Sequence, residues 1–431
     1  MFASQRALRL RLLCTHGIPV PETLDCWPTL PIVVQYGGPR APCPPAIEDE
    51  DNIVVALMQS DRVSSISLTV TNSLLEKLSA VERPFSELEE LVLLPRDSVP
   101  MTLPSAFRWG VRLRTLHLTR AAIPTLPELL SPCTGLVDLR LHKIPKIGYF
   151  SPDAFATALS EMTHLRSLSL HFLFFAFPRN DYASPLQSGE QVFLPALTCL
   201  KYRGTSKYLD NFVTRIDAPR LRDIDIRFFG QPTMVALQLS QFIDRIETRM
   251  SHRQANILSS EHAISISFTQ PETPLRLELQ ISCKVFTRQL SCMAQICNEL
   301  SSFILGVEHL CISVTRAKSQ RDDSDREEWL NLTRPFIGTK WVHVAGEHST
   351  NLVLALQFSQ IRRKAVLPAL CKLCIREPEP RYAPLREALA SFIYSSRRSG
   401  HIIALEYERL WRNESHATGT AFVLCPFFMT H

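Results

Sequence analysis

A chain of 431 residues exceeds one ordinary domain, yet a repeat architecture can absorb such length in one continuous core. With 45% hydrophobic and 21% charged residues, and 14 Gly against 30 Pro, the composition is that of a globular protein with many short, stiff connections, which excludes extended disorder. The net charge of +5, spread over 47 basic and 42 acidic residues, is too small and too mixed to mark a nucleic-acid partner.

From the start, Met1-Phe2-Ala3-Ser4-Gln5-Arg6 lacks the charged opening and apolar run of a secretory signal. No apolar run reaches the roughly 18 residues that a membrane helix needs. The densest, Leu170 to Phe177, is closed by Pro178. The expectation is therefore a chain without a membrane partner, cytoplasmic or nuclear, whose twelve cysteines stay as thiols. The sequons at Asn331 and Asn413 then carry no meaning. Residues 1–50 should hold a first strand and the Pro-rich loop from Gly37 to Pro45, with Glu48-Asp49-Glu50-Asp51 continuing that loop. Repeats should fill 51–400, leaving 401–431 as a tail.

Within 51–400 one short phrase recurs: an aliphatic, two variable residues, an aliphatic, one variable residue, another aliphatic. Copies begin at Val63, Leu88, Leu113, Leu136, Leu165, Leu197 and Leu221, and later at Val307 and Leu370. The first spacings of 25, 25, 23, 29, 32 and 24 residues suit a unit of one strand and one returning helix. In an extended strand alternate side chains share a face, so positions four and six point inward while three and five point outward. Helical pieces should lie between the copies. The clearest is Ser151 to Leu159, with Ser151 as N-cap and Pro152 in the first helical position. Others are Leu74–Leu78, Phe242–Ile246, Met293–Leu300 and Pro384–Ile393.

The phrase fades from about Gly230 to Ser260. Ala263 to Phe268 and Leu277 to Ile281 then alternate like paired strands around Gln270-Pro271-Glu272-Thr273-Pro274. The charged run Lys318 to Glu328 reads as a solvated loop leading into a helix near Trp329. A doubly wound α/β sheet would also alternate strands and helices, but it would not repeat one phrase with leucines in register, and no glycine-rich turn follows any strand. The expected fold is α/β: an irregular leucine-rich-repeat-type solenoid, a horseshoe with a parallel concave sheet and helices on its convex side.

Catalytic chemistry finds little support. Cys371-Lys372-Leu373-Cys374 has metal or redox spacing, yet no second pair accompanies it and Cys374 lies in a strand phrase. No nucleophile-elbow or metalloprotease motif is present, so no catalytic residue, metal or cofactor is expected. The sheet's outer face is more informative. Position five gives Val92, His117, Arg140, Ser169, Lys201 and Asp225; position seven gives Leu94, Thr119, His142, His171, Arg203 and Arg227. Two adjacent rows rich in His, Arg and Lys would suit an acidic or phosphorylated protein segment. The plainer reading is that these charges only keep an exposed sheet soluble.

Phe2 through Leu13, Trp27-Pro28-Thr29-Leu30-Pro31-Ile32-Val33-Val34, Ser60-Asp61-Arg62-Val63 and Leu197-Thr198-Cys199-Leu200-Lys201-Tyr202-Arg203-Gly204 resemble a group of basidiomycete fungal F-box proteins with leucine-rich-repeat-like C-terminal regions. The resemblance covers roughly residues 1 to 400. It implies a monomeric substrate receptor: an F-box of about three helices docks on the Skp1 adaptor of a cullin ubiquitin ligase, and the repeats hold a protein substrate. Met1 falls where the F-box would end, and the residues up to about 50 correspond to the linker after it. The alternative is a truncated gene product or free-standing scaffold without a ligase link.

Overall fold

The computed structural model describes residues 9–14, 20–27, 30–37, 47–79, 83–96, 100–103, 107, 110–173, 191–229, 237–246, 253–269, 276–283, 285–314, 325–345, 349–361, 366–377, 383–398, 400 and 402–409. The strands are β1 (Leu10–Leu13), β2 (Ile32–Tyr36), β3 (Val63–Val70), β4 (Glu90–Pro95), β5 (Thr115–Thr119), β6 (Asp138–Ile144), β7 (Ser167–Phe172), β8 (Val192–Phe193), β9 (Cys199–Gly204), β10 (Ile216–Asp217), β11 (Asp223–Phe228), β12 (Gln254–Ser259), β13 (Ala263–Thr269), β14 (Arg276–Ser282), β15 (His309–Val314), β16 (Trp341–Ala345), β17 (Lys372–Glu377) and β18 (Ala404–Arg409). The helices are α1 (Val20–Cys26), α2 (Ile47–Leu57), α3 (Asn72–Leu78), α4 (Leu126–Leu130), α5 (Pro152–Leu159), α6 (Ser206–Val213), α7 (Leu237–Asp244), α8 (Phe286–Glu299), α9 (Ser301–Ile304), α10 (Asp325–Thr333), α11 (Ser349–Ile361) and α12 (Ala383–Arg398).

Sixteen strands form one sheet in the order β1-β2-β3-β4-β5-β6-β7-β9-β11-β14-β13-β12-β15-β16-β17-β18. Every copy of the phrase became a strand. Position four is in register from strand to strand: Leu91, Leu116, Leu139, Leu168, Leu200, Ile224 and Leu277 are successive partners. All seven are fully buried in one continuous cluster. Removing one such side chain from water stabilises the fold by about 1.5–3 kcal/mol, and neighbours share each contact. Consecutive helices stack behind the strands, and β8 pairs with β10 in a separate two-stranded ribbon. The result is a leucine-rich-repeat-type solenoid.

Local rules account for the helix starts. Ser151 accepts a hydrogen bond from the Ala154 N–H at 3.1 Å, and Pro152 takes the first helical position of α5. Thr71 caps α3 and Thr205 caps α6 in the same way.

Several expectations are revised. The sheet is not wholly parallel: β13 runs antiparallel between β14 and β12, while β14 is parallel to β11 and β12 to β15. The segment before Ser260, where no phrase was read, holds β12. The acidic run Glu48 to Asp51 belongs to α2 rather than to a loop. Glu50 is buried there. Burial alone would raise its carboxyl, but hydrogen bonds from Thr71 (2.6 Å), Ser73 (2.9 Å) and Lys77 outweigh that and hold it below the usual carboxylate range. The sheet is also wider than 51–400, since β1 and β2 extend it at one end and β18 at the other. The Pro-rich stretch after Gly37, the turn at 270–275, the run at 318–324 and the tail beyond 409 lie outside the described residues.

One side chain explains a strand hidden in the sequence. In β16 the anchor position of the phrase is Thr339, fully buried, whose hydroxyl donates to the Val307 carbonyl at 3.0 Å. A threonine satisfied in this way occupies a leucine's place. A second adjustment sits in β6, where Lys143 takes a left-handed φ of 53° and the register slips between Leu141 and Ile144. Without that bulge Lys143 would point into the core; with it, Ile144 does.

Leu139→Ala should lower stability by about 2–5 kcal/mol because its partners on both neighbouring strands keep their places around a cavity. Thr119→Ala, on the outer face, should stay within about 0.5 kcal/mol of the parent. Urea midpoints measure both, and equal losses would contradict a single shared interior.

Candidate functional site

The outer face of the sheet is the side that the helices leave open. Strict alternation brings the two expected rows onto it. Position five runs Val92, His117, Arg140, Ser169, Lys201, Asp225 in direct register, and β14 adds Glu278 beside Asp225. Position seven pairs Thr119 with His142, and His171 with Arg203 and then Arg227. The bulge at Lys143 interrupts the ladder between His142 and His171, yet their rings meet.

The guanidinium groups are less available than the rows imply. Arg140 makes a two-pronged contact with Asp138, Nε at 3.1 Å and Nη2 at 2.6 Å. Arg227 does the same with Asp225, at 3.0 and 3.1 Å. Arg276 pairs with Glu278. Each pair links residues two apart on one strand, neighbours on the same face. Position three supplies Asp138, and also Asp223, which accepts a 3.4 Å contact from Cys199. Burial, then Asp223, pushes the Cys199 thiol up to about 11. Asp138, Asp223 and Glu278 were missed in reading the face from sequence, although extending the alternation one place back along each strand, and one strand further, finds them.

Two cations remain less engaged. Lys201 has no ion pair or hydrogen bond among the described residues, and Arg203 lies 5.6 Å from the centre of the Phe229 ring without a carboxylate partner among them. The unpaired positive charge of these two rows is therefore concentrated on β9.

Three imidazoles sit beside it. His142 and His171 stack at 4.2 Å with ring planes 7° apart, and His117 meets the edge of His142 at 4.8 Å. The buried Ser169 hydroxyl lies 2.9 Å from His142 Nε2 and 3.5 Å from His171 Nε2, so it bridges the pair. Burial, reinforced by the neighbouring imidazoles and by Arg140, lowers His142 to about 3. Burial, then Arg203, lowers His171 to about 4. His117 is lowered by burial and Arg140. The row is neutral at neutral pH, so these residues offer flat rings and hydrogen bonds rather than charge. Among the described residues no group of three His, Cys, Asp or Glu side chains could hold a metal ion. Cys371 is exposed and donates to the Ala369 carbonyl, while Cys374 is buried in β17.

No protein-family model matches the chain, and no curated protein matches it. Among solved structures it is similar to the leucine-rich repeat-containing protein LegL7 from Legionella pneumophila, with 13% identity over 89% of this chain and 97% of that chain and a TM-score of 0.29. So slight a likeness carries no weight, and the solenoid rests on the strand register. No helix among the described residues is long and apolar enough to cross a membrane.

The depressed imidazoles have a signed consequence. Unfolded histidines take up protons near pH 6.5, whereas His171 and His142 resist until about 4 and 3. Their contribution to stability is complete above pH 6.5 and is lost as the pH falls through that window. A His142→Asn, His171→Asn protein should lose less stability between pH 6.5 and 4 than the parent. Urea midpoints across that range test this, and parallel curves would show that the stack does not titrate in this way.

Proposed function

We propose that the chain is a non-catalytic protein-binding solenoid whose open strand face holds a segment of another protein. The observation that carries this reading is the row in register across five neighbouring strands, from His117 to Asp225, with a second row, His171, Arg203 and Arg227, beside it. Side chains about 4.8 Å apart in straight lines make a regular template for a partner chain. Lys201 and Arg203 would take a carboxylate or phosphate of that segment. Arg140, Arg227 and Asp225, already paired, would shape the face, while His117, His142, His171 and Ser169 supply stacking and hydrogen bonds.

At a finer level we propose the substrate-recognition role in a Skp1–cullin–F-box ubiquitin ligase, which the likeness at Trp27–Val34 and Leu197–Gly204 supports. This requires F-box helices encoded upstream of Met1 to engage Skp1. A free-standing scaffold is the second reading, and the proposed face serves either.

Affinity purification of the tagged chain, extended by any upstream exon, separates them: Skp1 and cullin should be recovered with the receptor and absent with the scaffold. For the face itself, Lys201→Glu with Arg203→Glu should reduce recovery of the bound protein at least about tenfold, as loss of a charge-assisted contact does. Arg140→Glu should have a smaller effect. Undiminished recovery from the double variant would reject an anionic segment at β9.

A further inference from the structure

The C-terminal quarter of the open face carries a second line of side chains. On β15 to β18, Cys311 is the register partner of His343, His343 of Cys374, and Cys374 of Glu406. Leu310, Ile312, Val342, Val344, Leu373 and Ile375 are buried, so alternation places these four on the opposite, open side. Parallel neighbours stand about 4.8 Å apart, which sets His343 between the two cysteines in the row, and the Cys311 sulfur also meets Gln254 Nε2 at 3.9 Å.

The two thiols differ in access. Cys311 is partly exposed, whereas Cys374 is 8% exposed. Four other cysteines are placed for inertness. Burial raises Cys14 and Cys133 to about 12 and lifts Cys297 further, and Cys199 faces a carboxylate. Cys311 instead has an imidazole across the strand and another, His309, two residues before it. Beside it Trp341 is 47% exposed, with the His309 ring at 4.4 Å and the Lys372 ammonium at 5.6 Å.

We propose that Cys311, with His343 as its proton acceptor, is a modification site for low-molecular-mass disulfides, and that the adduct closes this quarter of the face to a partner. His343 takes the thiol proton and the Cys311 sulfur attacks one sulfur of the disulfide. A new S–S bond forms as the old one breaks, and the departing thiolate recovers the proton from His343. The Cys311 sulfur rises from thiolate to disulfide level as the departing sulfur falls from disulfide to thiolate, so no other oxidant is needed. Cys374 cannot displace the adduct, because two strand spacings of roughly 9.6 Å exceed the roughly 7 Å over which two cysteines can bridge. The added group therefore stays beside Trp341 until an external thiol removes it.

The test uses the reduced full chain and glutathione disulfide at pH 7, with peptide mass spectrometry following each cysteine in time. Cys311 should acquire the adduct at least about tenfold faster than Cys371, an exposed thiol outside the line. His343→Gln should slow Cys311 by about tenfold and leave Cys371 unchanged. Equal rates at Cys311 and Cys371 in the unaltered protein overturn the proposal without any variant. A His343→Gln protein with the parent melting temperature and the parent Cys311 rate overturns it as well.

Discussion

Lateral register is the constraint on which this protein depends. Each strand offers two inward side chains and cannot cover them alone; only a neighbour whose own pair stands at the same height completes the wall. A shift of one residue in any parallel pairing would turn Leu116, Leu139 or Leu168 outward and bring His117, Arg140 or Ser169 into the core. The bulge at Lys143 shows how the chain absorbs a mismatch. One residue in a left-handed conformation is cheaper than a buried ammonium.

The same register that builds the interior writes the outer face. Residues two apart on one strand become neighbours, which lets Asp138 and Asp225 neutralise Arg140 and Arg227 in place. Residues at equal height on adjacent strands become neighbours too, which stacks imidazoles that the chain separates by 29 residues. Crowded together beside cations, those rings stay neutral. The face thus divides by chemistry: self-paired guanidinium groups, a neutral imidazole patch, two loosely engaged cations on β9, and thiols with an exposed tryptophan toward β16.

Much of this was legible in the sequence because the signal is a phrase rather than a composition. Nine copies read as strands are strands, and the Ser151 cap sits as its residues imply. What escaped did so for identifiable reasons. Thr339 hides the β16 phrase by burying a hydroxyl with its own acceptor. β12 uses the small Ala255 where a leucine would announce it. The acidic start of α2 looks like a loop until Thr71, Ser73 and Lys77, distant in sequence, arrive to satisfy Glu50. For the outer face, the rows were placed correctly but their charge was not. Pairing with Asp138 and desolvation of the imidazoles are properties of neighbours, which a list of residues does not contain.

The reversal at β13 has a further consequence for how the chain assembles. A plain solenoid can grow like a crystal, each new unit settling on a finished edge. Here β12, β13 and β14 pair antiparallel in succession, and the last of them in sequence, β14, lies on β11 while the first, β12, offers the edge to β15. The three strands therefore form one block whose order across the sheet is the reverse of their order in the chain. The strands from β15 onward join that block through β12. The molecule is thus two parallel stacks joined by a keystone whose contacts are mutual, so a change at β13 weakens the seam between both.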